Sequence, residues 1–262
     1  MITLKSKREI LAMEKSGAII AGMHQALKNI IKPGISTWDI EEFSRNYIES
    51  HGGRAAQIGF EGFEYATTVS VNSEVAHAFP RKDLILKDGD LVKVDTVVEL
   101  DGAYSDSAWS YAVGRVSPEI QKLMEVTLKA MYLGIDQAQV GNRLGDIGAV
   151  MNHYIEDENG YGNVIDYAGH GIGPTMHEEP TVLHDGVAGR GLRLRPGMTI
   201  TIEPMVNLGS WEVETSQEDG WTVRTIDGSW SAQYEHVIAI TEDGPKILTS
   251  QDAEFDAKYL LK

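Results

Sequence analysis

Apolar residues return at helical spacing through Ile10, Met13, Gly17, Ile20, Met23, Leu27 and Ile31, which predicts a first helix. Ser6-Lys7-Arg8-Glu9 reads as its capping box and Lys32-Pro33-Gly34 as its stop. A second helix is expected from Ser36 or Thr37 to Gly52-Gly53, with Ile40, Phe43 and Tyr47 turned inward. Ser117-Pro118 opens a third, to about Ala138, because proline suits the first helical position. A fourth runs from about Leu144 to Asn159-Gly160. After each helix pair the pattern changes to β-branched runs, Leu91-Val92-Lys93-Val94-Asp95 and Thr199-Ile200-Thr201-Ile202-Glu203, each entered through a glycine turn and each ending in a carboxylate.

The two halves echo each other. Gly34, Asp39, Ile40, Tyr47, Ile48, Glu49 and Gly53 recur 107 residues later as Gly141, Asp146, Ile147, Tyr154, Ile155, Glu156 and Gly160. Asp95 and Glu203 match at an offset of 108. Chance likeness between amphipathic helices is the alternative, since apolar periodicity alone generates such matches, and the strand echo weighs against it. We therefore expect one α/β (α+β) domain over 1–262, made of pseudo-repeats at about 6–115 and 117–250, each two helices and a curved antiparallel hairpin sheet. A ligand site is expected between the halves.

Strand geometry carries the first half further. Asp101-Gly102 between β-forming runs signals a two-residue type I′ turn. Counting outward pairs 100 with 103, 97 with 106 and 95 with 108, so Asp95 and Asp106 share a face as diagonal neighbours, roughly 7 Å apart at the backbone. Two like charges at that separation favour a cation between them. In the second half Glu235 is the candidate partner of Glu203, across a long connection around Leu208 to Asp227.

Composition narrows the chemistry. The 262 residues include 23 basic and 39 acidic side chains, a net charge of −16. Such a field argues against direct contact with nucleic acid or anionic membranes. There is no cysteine, so any metal must be held by oxygen and imidazole nitrogen. No apolar run approaches membrane-spanning length and no signal core opens the chain, which makes the cytoplasm the expected compartment.

Three histidines stand in loop-like contexts: His77 in Ala76-His77-Ala78-Phe79-Pro80, His170 between Gly169 and Gly171, and His177 in His177-Glu178-Glu179-Pro180. Glycines beside His170 would let a backbone approach a ligand closely, although an exposed turn has the same pattern. Together with Asp95, Asp106, Val71-Asn72-Ser73-Glu74-Val75-Ala76-His77, Thr201-Ile202-Glu203-Pro204-Met205 and Ser231-Ala232-Gln233-Tyr234-Glu235-His236, these motifs resemble type I methionine aminopeptidases over essentially the whole chain.

The resemblance implies a pita-bread fold and a dinuclear centre held by Asp95, Asp106, His170, Glu203 and Glu235, with two divalent ions (Mn, Fe, Co or Zn) activating a water. It also implies that Glu203 takes a proton from that water, that His177 stabilises the developing oxyanion, and that His77 hydrogen bonds near the scissile amide. Phe60, Phe63, Met176 and Trp221 would line an apolar pocket for methionine. Phe60 and Phe63 stand where the family often has tyrosine, Thr68 where cysteine occurs, and Ala78 where glycine is usual. The implied activity is removal of the initiator methionine from nascent polypeptides when the second residue is small. The ribosome is an allowed partner and a monomer is expected. Two alternatives stay open: an Xaa-Pro aminopeptidase or dipeptidase of the same fold, and a non-catalytic pita-bread binding protein. The former usually carries a large N-terminal domain, whereas here the first helix is expected near residue 7.

Overall fold

The computed structural model describes residues 2–260. Helix α1 (Lys7–Ile30) starts at the predicted box, where Ser6 accepts from the Glu9 N–H and the Glu9 carboxylate accepts from the Ser6 N–H at 2.7 Å. Helix α2 (Thr37–Ser50) repeats the device with Ser36 and Asp39. Its buried face is rotated from the expected one: Ile40, Glu41, Ser44 and Ile48 are buried, while Phe43 and Tyr47 are half-buried. The cause is Glu41, whose carboxylate accepts from the backbone N–H groups of Ala66 and Thr67 and so turns a polar row inward.

Short strands β1 (Arg54–Ala55), β2 (Thr68–Val71) and β3 (Glu74–Ala76) precede the long hairpin of β4 (Leu91–Leu100) and β5 (Ala103–Ala112). Asp101 and Gly102 take φ of 52° and 82°, as a type I′ turn needs. Leu100 pairs with Ala103, Val97 with Asp106 and Asp95 with Ala108, the register expected from the turn. β1 and β2 both pair with β4.

Helix α3 (Pro118–Gln137) is capped by Ser117, and α4 (Leu144–Asn152) continues as one π-helical turn over His153–Glu158. Then come β6 (Gly162–Asn163), β7 (Gly169–Gly171), β8 (Glu178–Val182), β9 (Thr199–Ile202), β10 (Met205–Asn207), β11 (Val213–Thr215), β12 (Val223–Thr225), β13 (Ser231–Gln233), β14 (His236–Thr241), β15 (Gly244–Ile247) and the short α5 (Ala253–Asp256). One sheet runs β15-β14-β9-β7-β8 and another β13-β10-β6.

The second half is therefore not the single hairpin expected. β9 pairs with β14 and β10 with β13, with a break between them at Glu203-Pro204, where proline offers no N–H to the ladder. Ile202 pairs with His236 and Met205 with Gln233, so one register carries Glu203 directly opposite Glu235 rather than diagonal to it. The long connection folds as the β11–β12 hairpin, and β12 pairs back onto β3 through Val223 and Ala76. One apolar core draws on both halves, including Ile20 and Met23 of α1, Val94 of β4, Met131 of α3 and Ile202 of β9. No helix among the described residues is long and apolar enough to cross a membrane.

Candidate metal centre and substrate cavity

The two hairpin aspartates and the facing glutamates meet His170 in one place. Asp106, Glu203 and Glu235 are buried and Asp95 half-buried. His170 Nδ1 lies 2.9 Å from Gly171 O, which orients the ring so that its Nε2 faces the carboxylates. That nitrogen lies 3.6 Å from Asp106 Oδ2 and 3.8 Å from Glu203 Oε1. Thr201 ties the arrangement together. Its hydroxyl accepts from the His170 N–H at 2.9 Å and donates to Glu203 Oε1 at 2.8 Å. The glycines flanking His170 have a reason other than ligand approach. A Cβ on Gly169 would stand 2.5 Å from Thr201 O and one on Gly171 2.3 Å from Glu179 O, so it is the neighbouring strands that require them.

The electrostatics of the cluster are adverse on its own. Burial, then the charges of Asp106 and Glu203, hold Asp95 well above the usual carboxylate range. Burial and the charges of Asp106, Glu203 and Asp95 do the same to Glu235. Burial lifts Glu203 to about 7, against the pull of His170. Burial alone would lower His170, but its hydrogen bond to Asp106 and the charges of Glu203 and Asp106 outweigh it and raise the group to about 9.

The residues fit divalent ions. Asp95 Oδ1, Asp106 Oδ1 and Glu235 Oε1 are buried without a hydrogen-bond partner, which an acceptor-only group tolerates when a cation faces it. Ligand atoms of Asp106, His170 and Glu235 all lie within 4.8 Å of one another. Four carboxylates with one imidazole suit hard or borderline metals.

The cluster floors a cavity of about 460 Å³ whose lining among the described residues includes no lysine or arginine. Every residue singled out from the sequence lines it: His77, His177, Phe60, Phe63, Met176 and Trp221 beside the five ligand candidates. His77 sits at φ 58°, an unusual setting for a side chain other than glycine, with its ring edge-on to Tyr167 at 5.5 Å. Burial, then the neighbouring His177, lowers its pKa. His177 is exposed at the rim, its ring 4.3 Å from that of His170 and 5.1 Å from that of Phe60. Burial of the ring and the charge of His170 lower His177 as well. Phe63 and Met176 are buried, and Phe63 packs 5.0 Å from Trp221, which the β11–β12 hairpin delivers. Thr68, paired with Asp95 across β2 and β4, lines the cavity as well, whereas Ala78 bonds through its backbone O to the Val69 N–H and is not part of the lining.

Two contributors were not singled out from sequence. Tyr167 precedes the glycine-histidine motif by too little to be distinguished from loop sequence. Thr201 lies inside a quoted motif, but its alternation with Glu203 on one strand face was the only available signal.

The sequence profile of metallopeptidase family M24 matches residues 12–242. Methionine aminopeptidase 1 of Bacillus subtilis (strain 168) is 43% identical over 249 residues, 95% of this chain and 99% of that protein. The structure of a methionine aminopeptidase from Streptococci superposes with a TM-score of 0.90 at 50% identity, covering 97% of this chain and 99% of that one. An Xaa-Pro dipeptidase from Bacillus anthracis superposes with a TM-score of 0.74 at 21% identity, with 94% of this chain matching 62% of that one; this likeness is one of fold.

Proposed function

The chain belongs to metallopeptidase family M24 and to its methionine aminopeptidases, and on that premise we propose that Asp95, Asp106, His170, Glu203 and Glu235 hold two divalent ions for removal of an N-terminal methionine. The observation that carries this reading is the set of buried, unpartnered carboxylate oxygens at the floor of a cavity with an aromatic wall. Mn, Fe, Co or Zn would supply Lewis acidity and lower the pKa of water at that floor.

The chain's own groups do the rest. Glu203 Oε1 is engaged by Thr201, so its other oxygen is the one available to take a proton from the attacking water. His177, neutral by burial, offers an N–H to the carbonyl oxygen as charge develops there. His77, also held neutral, would hydrogen bond at the scissile amide. Phe60, Phe63, Met176 and Trp221 form the apolar slot for the methionine side chain, whose soft sulfur favours aromatic edges. The proposed substrates are nascent polypeptides beginning with methionine and followed by a small residue. The proposed setting is the cytoplasm, with the protein working as a monomer on chains leaving the ribosome, since that is where initiator methionines are presented.

The test is release of the N-terminal residue from Met-Ala-Ser and Ala-Pro-Ala by chelator-stripped protein, before and after adding Mn, Co, Fe or Zn. Metal-dependent cleavage of Met-Ala-Ser alone is expected. Cleavage of Ala-Pro-Ala instead would move the protein to the proline-directed branch. Silence on both by folded protein would favour a binding role.

A further inference from the structure

Among the described residues Glu61 is the one cavity-lining carboxylate outside the proposed metal centre. It is exposed, so it stands where the cavity opens to solvent rather than at its floor. Its loop is built to hold it there. Between Gly59 at φ 89° and Gly62 at φ 88°, Glu61 itself takes φ 46°, a setting that an L side chain adopts reluctantly. Phe60, its neighbour, rests on the ring of His177, and the Glu61 charge reaches His177 and favours its protonated form.

The carboxylate is also uncommitted. Among the described residues Glu61 makes no side-chain hydrogen bond or ion pair. Asp219, two residues ahead of Trp221, is used up internally: it accepts from the Trp221 N–H, the Thr222 N–H and the Thr222 hydroxyl. Among the described residues no lysine or arginine lines the cavity to neutralise Glu61.

An aminopeptidase seats only the first residue of its substrate in the closed end of its cavity, and the rest of the peptide leaves through the mouth. We propose that Glu61 is a specificity-determining residue that favours peptides carrying lysine or arginine close behind the N-terminal methionine and disfavours those carrying aspartate or glutamate there. This rests on the aminopeptidase reading above, and it concerns the part of the substrate that the metal centre and the methionine slot do not touch. A single exposed charge at close range gives a preference of about three- to tenfold, and one that salt weakens.

The experiment compares kcat/KM for Met-Ala-Lys-Ser, Met-Ala-Glu-Ser and Met-Ala-Ser-Ser with Mn-loaded protein at low and high ionic strength. The wild-type chain is expected to favour the lysine peptide over the glutamate peptide, with the ratio shrinking in high salt. In Glu61→Gln the ratio should fall at least threefold, and in Glu61→Lys it should invert. Each ratio is taken within one preparation, so incomplete folding or loading cancels. If Glu61→Gln is too weak to read, Glu61→Gly, which suits the positive φ, reports the same ratio. A ratio unchanged by these substitutions would overturn the proposal and assign any preference to the overall −16 charge. Failure of the wild-type chain to cleave all three peptides would instead overturn the aminopeptidase reading.

Discussion

Lys5 Nζ lies 2.5 Å from Glu178 Oε2, with the two side chains 2% and 14% exposed. The backbone N–H of Lys5 donates to Gly197 O at 2.6 Å, and the other oxygen of Glu178 accepts from the Thr175 hydroxyl at 3.2 Å. A residue ahead of the first helix thereby clamps the loop between β7 and β8, which carries Met176 and His177 into the cavity.

Removing one partner of such a buried pair leaves the other charge without compensation, at a penalty of ~3 kcal/mol or more. Lys5→Met should lower the urea midpoint accordingly and reduce kcat/KM on Met-Ala-Ser at least tenfold. The double variant Lys5→Met/Glu178→Leu should recover most of the stability, since apolar replacement removes the stranded charge, but not the kinetics, since the loop stays unclamped. Equal recovery of both would mean that the pair only stabilises the fold.

Metal loading should release protons. Without metal, Glu203 titrates near 7, His170 near 9, and Asp95 and Glu235 above the usual carboxylate range, so at pH 7 the centre carries protons that ligands must lose. Calorimetry of Mn binding in buffers of different ionisation enthalpy should show release of at least one proton. The sign for stability is the same for all four groups. A folded pKa raised above the unfolded value contributes stability that is lost as pH rises through it, from 4.5 to about 7 for Glu203, ~3 kcal/mol on full ionisation. The metal-free protein should therefore weaken across that window, and the rise in Tm on adding metal should grow between pH 5 and 7.5.

His184 makes the opposite contribution. It is 1% exposed, with Nδ1 3.4 Å from Val164 O and Nε2 buried without a partner, and burial lowers its pKa to about 4. A depressed histidine contributes stability that is present above the unfolded value near 6.5 and lost as pH falls toward 4, at up to ~1.4 kcal/mol per pH unit. The stability gap between wild type and His184→Gln at pH 7.5 should shrink by ~2 kcal/mol at pH 5. A gap that holds constant would mean that the imidazole does not titrate differently in the folded state.

The same contrast explains what could be read from the residues alone. Asp95 and Asp106 were placed because Asp101-Gly102 fixes a turn and strand alternation then fixes everything within ten residues on either side. No such local rule spans the stretch between Glu203 and Glu235, so their direct opposition was not legible, nor was the route by which β12 carries Trp221 onto the first half. Glu41 is a third kind of case. A lone glutamate in an amphipathic helix looks solvent-facing, and its partners are backbone N–H groups that leave no mark in the sequence.

Glu41 is 1% exposed and accepts from Ala66 N, Thr67 N and the Thr67 hydroxyl, with Arg45 completing the set at 2.7 Å. Glu41→Leu strands buried donors and should destabilise the fold by about 3 kcal/mol by chemical denaturation. Because Thr68 leads β2 into pairing with Asp95, metal affinity should fall as well. A loss of stability with unchanged affinity would show that β4 and β5 alone hold Asp95 in place.

Thr201 offers the cleanest separation of orientation from ligation. Its hydroxyl is wedged between the His170 N–H and Glu203 Oε1, and Thr201 is not one of the five proposed ligands. Thr201→Val keeps the shape and the β-branched strand preference while deleting both hydrogen bonds. Groups that orient ligands in this way typically govern 10–100-fold in metal affinity. We expect Mn affinity to drop by about that factor, with Tm of the metal-free protein lowered by only a few degrees. Thr201→Ser, which restores the hydroxyl, should return most of the affinity. If Thr201→Val binds metal as the wild type does, then the β9 backbone and the glycines beside His170 suffice to hold the ligands, and the hydroxyl serves only to satisfy a buried N–H.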